Sequence, residues 1–123
     1  MQENKLSYHA IGKAFEIHKN LGPGLLESAY EAALVYELRL MGYDVKQQYK
    51  LSYQYKEVLL DPAYRLDILL DNKLIIEIKS VETLAPVHFS QTLTYLKLSG
   101  LRLALLINFN CSYLKNNIHR LIN

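Results

Sequence analysis

The chain has 123 residues, half of them hydrophobic and 21% charged, and 14 Lys and Arg against 12 Asp and Glu give a formal charge of +2. That size predicts one folded domain whose core needs no disulfide or metal staple, and the balance excludes a disordered tail protein. The small charge permits nucleic-acid binding without diagnosing it, while a single cysteine, Cys111, excludes a disulfide framework, a four-thiolate zinc site and a cysteine-held iron–sulfur cluster in one chain.

Met1-Gln2-Glu3-Asn4-Lys5 has mixed charge and no apolar signal core behind it. The apolar run from Leu103 to Ile107 is far shorter than the roughly 20 residues that span a bilayer. The expectation is a soluble, cytoplasmic protein with no membrane partner. Leu6, Ala10, Ile11, Ala14, Phe15, Ile17 and Leu21 recur at helical spacing and predict an amphipathic helix over residues 5–20. Gly22-Pro23-Gly24 stops it, and a second helix runs from Leu25 to Met41, ended by Gly42. This pair is not a DNA-reading helix–turn–helix: Glu27, Glu31 and Glu37 against Arg39 give the second helix the wrong sign for a major-groove probe.

From Asp44 the period becomes two. Val45, Gln47, Tyr49, Leu51 and Tyr53 alternate with mostly polar residues and predict a half-exposed strand. After a turn at Lys56-Glu57, Val58 to Leu60 begin another strand, interrupted at Asp61-Pro62. Tyr64 to Leu70 and Leu74 to Val81 form two dense apolar runs around Asp71-Asn72-Lys73, a hairpin signal. Pro86 opens a helix to Leu98, closed by Ser99-Gly100, and Leu101 to Phe109 reads as a buried strand parallel to a neighbour. A short helical turn and an edge strand are expected over Tyr113 to Ile122. The elements describe one mixed sheet with helices packed on it.

Chemistry concentrates in Arg65-Leu66-Asp67-Ile68 and Ile76-Glu77-Ile78-Lys79. Alternation puts Glu77 and Lys79 on one face and Ile76 and Ile78 on the other. A three-residue loop at Asp71-Asn72-Lys73 sets Asp67 opposite Glu77 and Arg65 opposite Lys79, with Leu66, Ile68 and Leu70 meeting Ile78, Ile76 and Leu74 on an apolar face. A two-residue loop would align polar with apolar faces, so the odd loop is preferred. Two carboxylates facing each other across a strand pair repel. One hard divalent cation with oxygen ligands, Mg²⁺ or Mn²⁺, cancels both charges, and Lys79 adds a fixed positive charge. That set suits metal-assisted phosphodiester hydrolysis. A solvated strand face also carries such residues, but the apolar density around these argues for a central strand pair.

Other chemistries lack their residues. Gly22-Pro23-Gly24 has no Gly-Lys-Ser/Thr of a phosphate loop, so no nucleotide cofactor is expected; there is no Gly-x-Ser-x-Gly elbow and no His/Cys zinc spacing.

Gly24-Leu25-Leu26-Glu27-Ser28-Ala29-Tyr30 matches the motif of the GxxExxY proteins, and the chain resembles that family of the PD-(D/E)XK nuclease superfamily. The resemblance extends from Ile11-Gly12 through Gly22-Pro23-Gly24 and Tyr64-Arg65-Leu66-Asp67 to Leu106-Ile107-Asn108-Phe109-Asn110. Pro86-Val87-His88 and Gln91-x-x-x-Tyr95 resemble the helix motif of the RecB-like branch. The resemblance implies a restriction-endonuclease-like α/β core, a mixed central sheet flanked by helices, with residues 1–123 as a single domain. It implies Asp67 and Glu77 as ligands of one Mg²⁺ or Mn²⁺ per site, the Ile78 carbonyl as a third, and Lys79 as the catalytic lysine. Glu27 would be a further acid, reaching the ion directly or through water. Gln91 and Tyr95, neighbours at i, i+4, would steady the site or a DNA phosphate, with His88 near them. Leu66 stands where the motif has proline. The implied reaction is hydrolysis of DNA by metal-activated water; the alternative is a catalytically silent nucleic-acid-binding or partner-docking module on the same scaffold. DNA is the expected partner, and a homodimer would supply the two sites that cutting two strands needs.

Packing roles compete for several of these residues. Tyr30 and Tyr95 suit half-buried positions with paired hydroxyls. His88 suits a helix cap, and His18 faces the Gly-Pro-Gly turn or solvent. Tyr49, Tyr53 and Tyr55 suit cross-strand packing, and Lys46, Lys50, Lys97 and Arg102 suit a solvated surface that could also meet phosphates.

Overall fold

The structure is a computed structural model that describes residues 2–61 and 64–123; Met1 and the proline of the expected Asp61-Pro62 break lie outside the described residues. The apolar stripe of the first segment forms α1 (Gln2–Leu21), which buries Leu6, Ala10, Ala14 and Ile17. After the Gly-Pro-Gly turn, α2 (Glu27–Leu40) buries Tyr30, Leu34, Val35 and Leu38 on the same side of the sheet. Then follow β1 (Val45–Lys50), β2 (Tyr53–Tyr55), β3 (Val58–Leu60), β4 (Arg65–Leu70), β5 (Leu74–Lys79), α3 (Pro86–Ser99), β6 (Leu103–Asn108), a 3₁₀ turn at Leu114–Asn117 and β7 (Ile118–Ile122). Five strands form one mixed sheet in the order β1-β4-β5-β6-β7, with β5 and β6 parallel and the other neighbours antiparallel. Only a crossover can join parallel neighbours, and α3 supplies it. The carboxy-terminal strand lies at the sheet's edge, as expected.

Two apolar clusters flank the sheet, so the architecture is three-layered. One joins α1 and α2 to Val45, Ile68, Leu70, Leu74, Ile76, Ile78, Leu105 and Ile107. The other joins Tyr95 and Leu96 of α3 to Leu51, Leu66, Leu69, Ile75 and Leu106. The expected α/β core with a mixed sheet and flanking helices is therefore what the chain builds.

Several expectations need correction. The long strand from Val45 to Tyr53 ends at Lys50, and β2 and β3 form a separate two-stranded sheet. Leu51 turns inward and is buried, whereas Tyr55, Val58 and Leu59 stay exposed, so this hairpin has no second layer to hold it on the main sheet. Leu66 does not share a face with Ile68 and Leu70; it packs on the α3 side. His18 donates its Nε2–H to the Cys111 carbonyl at 2.8 Å rather than facing the turn or solvent.

The β4–β5 register is the one a three-residue loop predicts: Leu70 pairs with Leu74, Leu69 with Ile75 and Ile68 with Ile76. Asp71 and Asn72 both take left-handed backbone conformations, φ 51° and 55°, which Asp and Asn tolerate in hairpin turns. Arg65 pairs with Lys50 of β1, not with Lys79.

Candidate active site at the opening of β4 and β5

Where the β4–β5 ladder would next join Asp67 to Glu77, side chains replace carbonyls. The backbone N–H of Asp67 donates to Glu77 Oε2 at 2.8 Å, and the backbone N–H of Ile78 donates to Asp67 Oδ2 at 2.8 Å. Each acid is thus held by an amide of the opposite strand. A desolvated carboxylate needs such donors, and here they displace the ordinary ladder bonds.

Burial dominates the protonation of this pair. It pushes the Glu77 carboxyl up to about 8, the Asp67 carboxylate adds to the rise, and the Asp67 amide and Lys79 pull against it. Burial also raises Asp67, opposed first by the Ile78 amide, with Glu31 raising it further. Lys79 closes β5 half-buried, and among the described residues no ion pair within 4.0 Å joins it to either acid. Its carbonyl accepts from the Phe109 amide at 2.9 Å, which fixes the strand end. Asn108, buried beside Lys79 in the β5–β6 register, donates to the Val81 carbonyl at 2.9 Å and accepts from the Val81 amide at 3.1 Å, so the chain leaving β5 is clamped.

Glu27 opens α2, and its Oε2 accepts from the Ser80 amide at 3.2 Å, while Ser80 Oγ donates to the Leu25 carbonyl at 2.6 Å. The α2 carboxylate that acts on both Asp67 and Glu77 electrostatically is Glu31, one turn on. Its two oxygens accept from Gln47 Nε2 at 3.0 Å and Gln48 Nε2 at 2.9 Å, and the Gln48 amide also donates to Asp67 Oδ1 at 3.3 Å. Glu31, Gln47 and Gln48 had no place in the site read from sequence. A signal for Glu31 was present: a charged residue three and four positions before Leu34 and Val35 falls on the buried stripe, on the same face as Glu27.

On α3, Tyr95 is buried, its ring edge-on to Tyr64 with centroids 5.8 Å apart. Burial pushes its phenol up to about 12, with Glu77, Asp67 and Tyr64 adding to the rise, so it stays a hydroxyl at physiological pH. Gln91 is exposed one turn earlier, and the two residues line a shallow groove of about 300 Å³ with Tyr64, Val87, Ser90 and Thr94. His88 is occupied with capping: its Nδ1 accepts from the Ala85 amide at 3.0 Å. Tyr30 is fully buried, not half-buried; its hydroxyl donates to the Gly22 carbonyl at 2.5 Å and accepts from the Leu25 amide at 3.2 Å, with its ring stacked on Phe109. Of the basic residues, Lys50 pairs with Asp61 at 2.7 Å and Lys46 donates to Asn72 at 2.7 Å.

The donor set fits a hard divalent cation. Asp67 and Glu77 offer oxygen ligands, each carboxylate commits only one oxygen to the crossed exchange, and their mutual repulsion is what a positive charge would relieve. Among the described residues, no three His, Cys, Asp or Glu side chains stand grouped as a ready metal cage. No helix among the described residues is long and apolar enough to cross a membrane.

A family model of the PD-(D/E)XK nuclease superfamily matches residues 4–121. No curated protein and no solved structure matches the chain.

Proposed function

The chain belongs to the PD-(D/E)XK nuclease superfamily, and from that premise we propose that it is a metal-dependent nuclease hydrolysing DNA phosphodiester bonds. The observation that carries this reading is the crossed exchange between Asp67 and Glu77: two acids, one with its carboxyl pushed up to about 8, are kept together where they repel. Groups so strongly perturbed by burial and by a like charge are candidates for chemistry. Asp67 and Glu77, with the Ile78 carbonyl, would hold one Mg²⁺ or Mn²⁺. Such an ion would supply Lewis acidity, activating water and polarising the phosphoryl group. Lys79 orients the attacking water or stabilises the developing charge. The Tyr95 hydroxyl, protonated at working pH, and the Gln91 amide donate to the substrate's phosphate along the α3 groove. His88 steadies that helix through its cap, and Glu27 keeps the strand end in place through Ser80 and would add a further acid toward the ion.

Within the superfamily, Gly24-x-x-Glu27-x-x-Tyr30 and Gln91-x-x-x-Tyr95 support assignment to the GxxExxY proteins and the RecB-like branch, with residues 1–123 as one unit. Two copies would supply the two sites that cleavage of a duplex requires. The test is incubation of purified chain with plasmid, linear duplex, single-stranded DNA and RNA, with Mg²⁺, Mn²⁺ or EDTA. Metal-dependent DNA cleavage abolished by Asp67→Asn is the expected result. Metal and DNA binding without any cleavage would overturn it in favour of a silent binding module.

A further inference from the structure

We propose that Gln48 is a positioning residue of the acid cluster, its side-chain amide shared between Glu31 and Asp67 and its backbone bent to put it there. The inference rests on the nuclease reading above. Gln48 is the one residue of β1 with a left-handed backbone, φ 47°. Left-handed conformations are rare outside Gly, Asn and Asp, and they persist where the surroundings demand them. Gln48 is also the one position between Val45 and Lys50 absent from the β1–β4 ladder, which runs Gln47↔Ile68 and then Tyr49↔Leu66. The missing partner is Asp67.

The bend has a consequence that a regular strand could not produce. Successive strand side chains point to opposite faces, yet Gln47 and Gln48 both reach the same carboxylate, one on each oxygen of Glu31. Leu51, beyond the bend, packs on the α3 side, whereas Val45, before it, packs against α1 and α2, although strict alternation would give them one face. Apolar packing does not call for this: Gln48 is exposed. What the bend achieves is polar. A primary amide has two hydrogens, and here they serve two acids, Glu31 Oε1 at 2.9 Å and Asp67 Oδ1 at 3.3 Å. With Oδ1 on Gln48 and Oδ2 on the Ile78 amide, the Asp67 carboxylate is oriented before any cation arrives. Residues that orient ligands in this way commonly change metal affinity or activity by about 10–100-fold when lost.

Gln48→Gly separates the two features, since glycine accepts the left-handed backbone and removes the amide. Mn²⁺ binding by calorimetry and single-turnover cleavage of duplex DNA are measured on parent and variant, with melting in EDTA as the fold control. The expected result is an unchanged melting temperature with Mn²⁺ affinity about tenfold weaker and a lower cleavage rate at unchanged DNA affinity. Gln48→Asn, which tolerates the backbone but carries a shorter amide, is expected to fall between the two. Mn²⁺ affinity and cleavage of Gln48→Gly within twofold of the parent would overturn the proposal. If the parent neither binds Mn²⁺ nor cuts, the nuclease reading has failed, and the melting shift caused by Asp67→Asn in EDTA decides for Gln48. A shift that differs between the parent and Gln48→Gly backgrounds supports the link, and equal shifts refute it.

Discussion

Asp67 and Glu77 hold each other's strands by their side chains: the Asp67 amide donates to Glu77 Oε2, and the Asp67 carboxylate accepts from the amide that follows Glu77 in the chain. This exchange makes the metal-free protein sensitive to pH. Glu77 titrates near 8 in the folded state, against about 4.5 when unfolded, so the folded state holds the proton more tightly. The stability this contributes is fully present below pH ~4.5 and is lost as pH rises through about 8; Asp67, also raised, acts in the same direction. In EDTA the stability is expected to fall between pH ~5 and pH ~8.5 by an amount on the order of a few kcal/mol, read as a lower melting temperature. Mn²⁺ at about 100 times its Kd should restore about 2.7 kcal/mol at the alkaline end. Glu77→Gln should flatten the profile and remove the Mn²⁺ effect. A parent melting temperature that rises with pH in EDTA would contradict the buried, proton-holding acid.

Lys79 gives the sharpest separation of enzyme from scaffold. Lys79→Ala removes the amine but not the two acids, so Mn²⁺ binding and DNA binding are expected to survive while the cleavage rate falls about 10²–10³-fold, the range for losing a transition-state donor. Lys79→Arg should not restore the rate, because a planar guanidinium cannot take the place of a compact ammonium at the strand end. Single-turnover kinetics beside a DNA-binding titration checks both. Unchanged cleavage in Lys79→Ala would remove the lysine from the mechanism.

The sheet core was legible because its signals are local. The apolar runs around Asp71-Asn72-Lys73 specify β4, β5 and their register, and a slip by one residue would bury charge. Asp67, Glu77 and Lys79 follow from that register. The failures occur where backbone geometry departs from the strand period. Gln48 reverses the pleat of β1, so alternation put Leu51 on the wrong side, Leu66 changes side on β4 next to Asp67, and no local composition marks a glutamine for a left-handed conformation. Glu31 was legible as a charge but not as a member of the site, because its partners, Gln47 and Gln48, come together with it only through the tertiary fold. The small β2–β3 sheet departs for a different reason: none of its side chains is fully buried, and alternation carries little information where neither face is covered.

Gln91 and Tyr95 share a groove but should respond differently to truncation. Gln91 is exposed, and Gln91→Ala is expected to leave stability within about 0.5 kcal/mol. As a donor to a charged phosphate it should contribute about 1.5 kcal/mol to DNA binding, roughly tenfold in Kd. Tyr95 is buried in the α3 cluster, so Tyr95→Ala should cost about 3 kcal/mol or more through the cavity it leaves. Tyr95→Phe spares the packing and isolates the hydroxyl. DNA titrations paired with melting curves distinguish the roles; Gln91→Ala with parental affinity would take this residue out of the substrate path.

Tyr30 links the glycine turn to the helix that carries Glu27 and Glu31. Its hydroxyl is shared by the Gly22 carbonyl and the Leu25 amide, two backbone groups that no helix or strand satisfies, and its ring lies 4.5 Å from that of Phe109 at an interplanar angle of 7°. Gly22 and Gly24 take positive φ values of 68° and 96° on either side of Pro23, so the chain reverses there in a conformation that needs an anchor. Tyr30→Phe keeps the stacked ring and removes only the anchor. The loss should be about 1 kcal/mol, the net contribution of a hydrogen bond to part-buried backbone groups, and would be read as a melting temperature lower by several degrees. Glu27 starts its helix two residues after Leu25 and reaches Ser80, so a loosened turn should also weaken that contact. Amide exchange at Ser80 should therefore accelerate in Tyr30→Phe, while exchange at Ile78, held by Asp67, should change only with global stability. Equal acceleration at both amides beyond the global change would mean that the turn and the acid pair act as one unit rather than two.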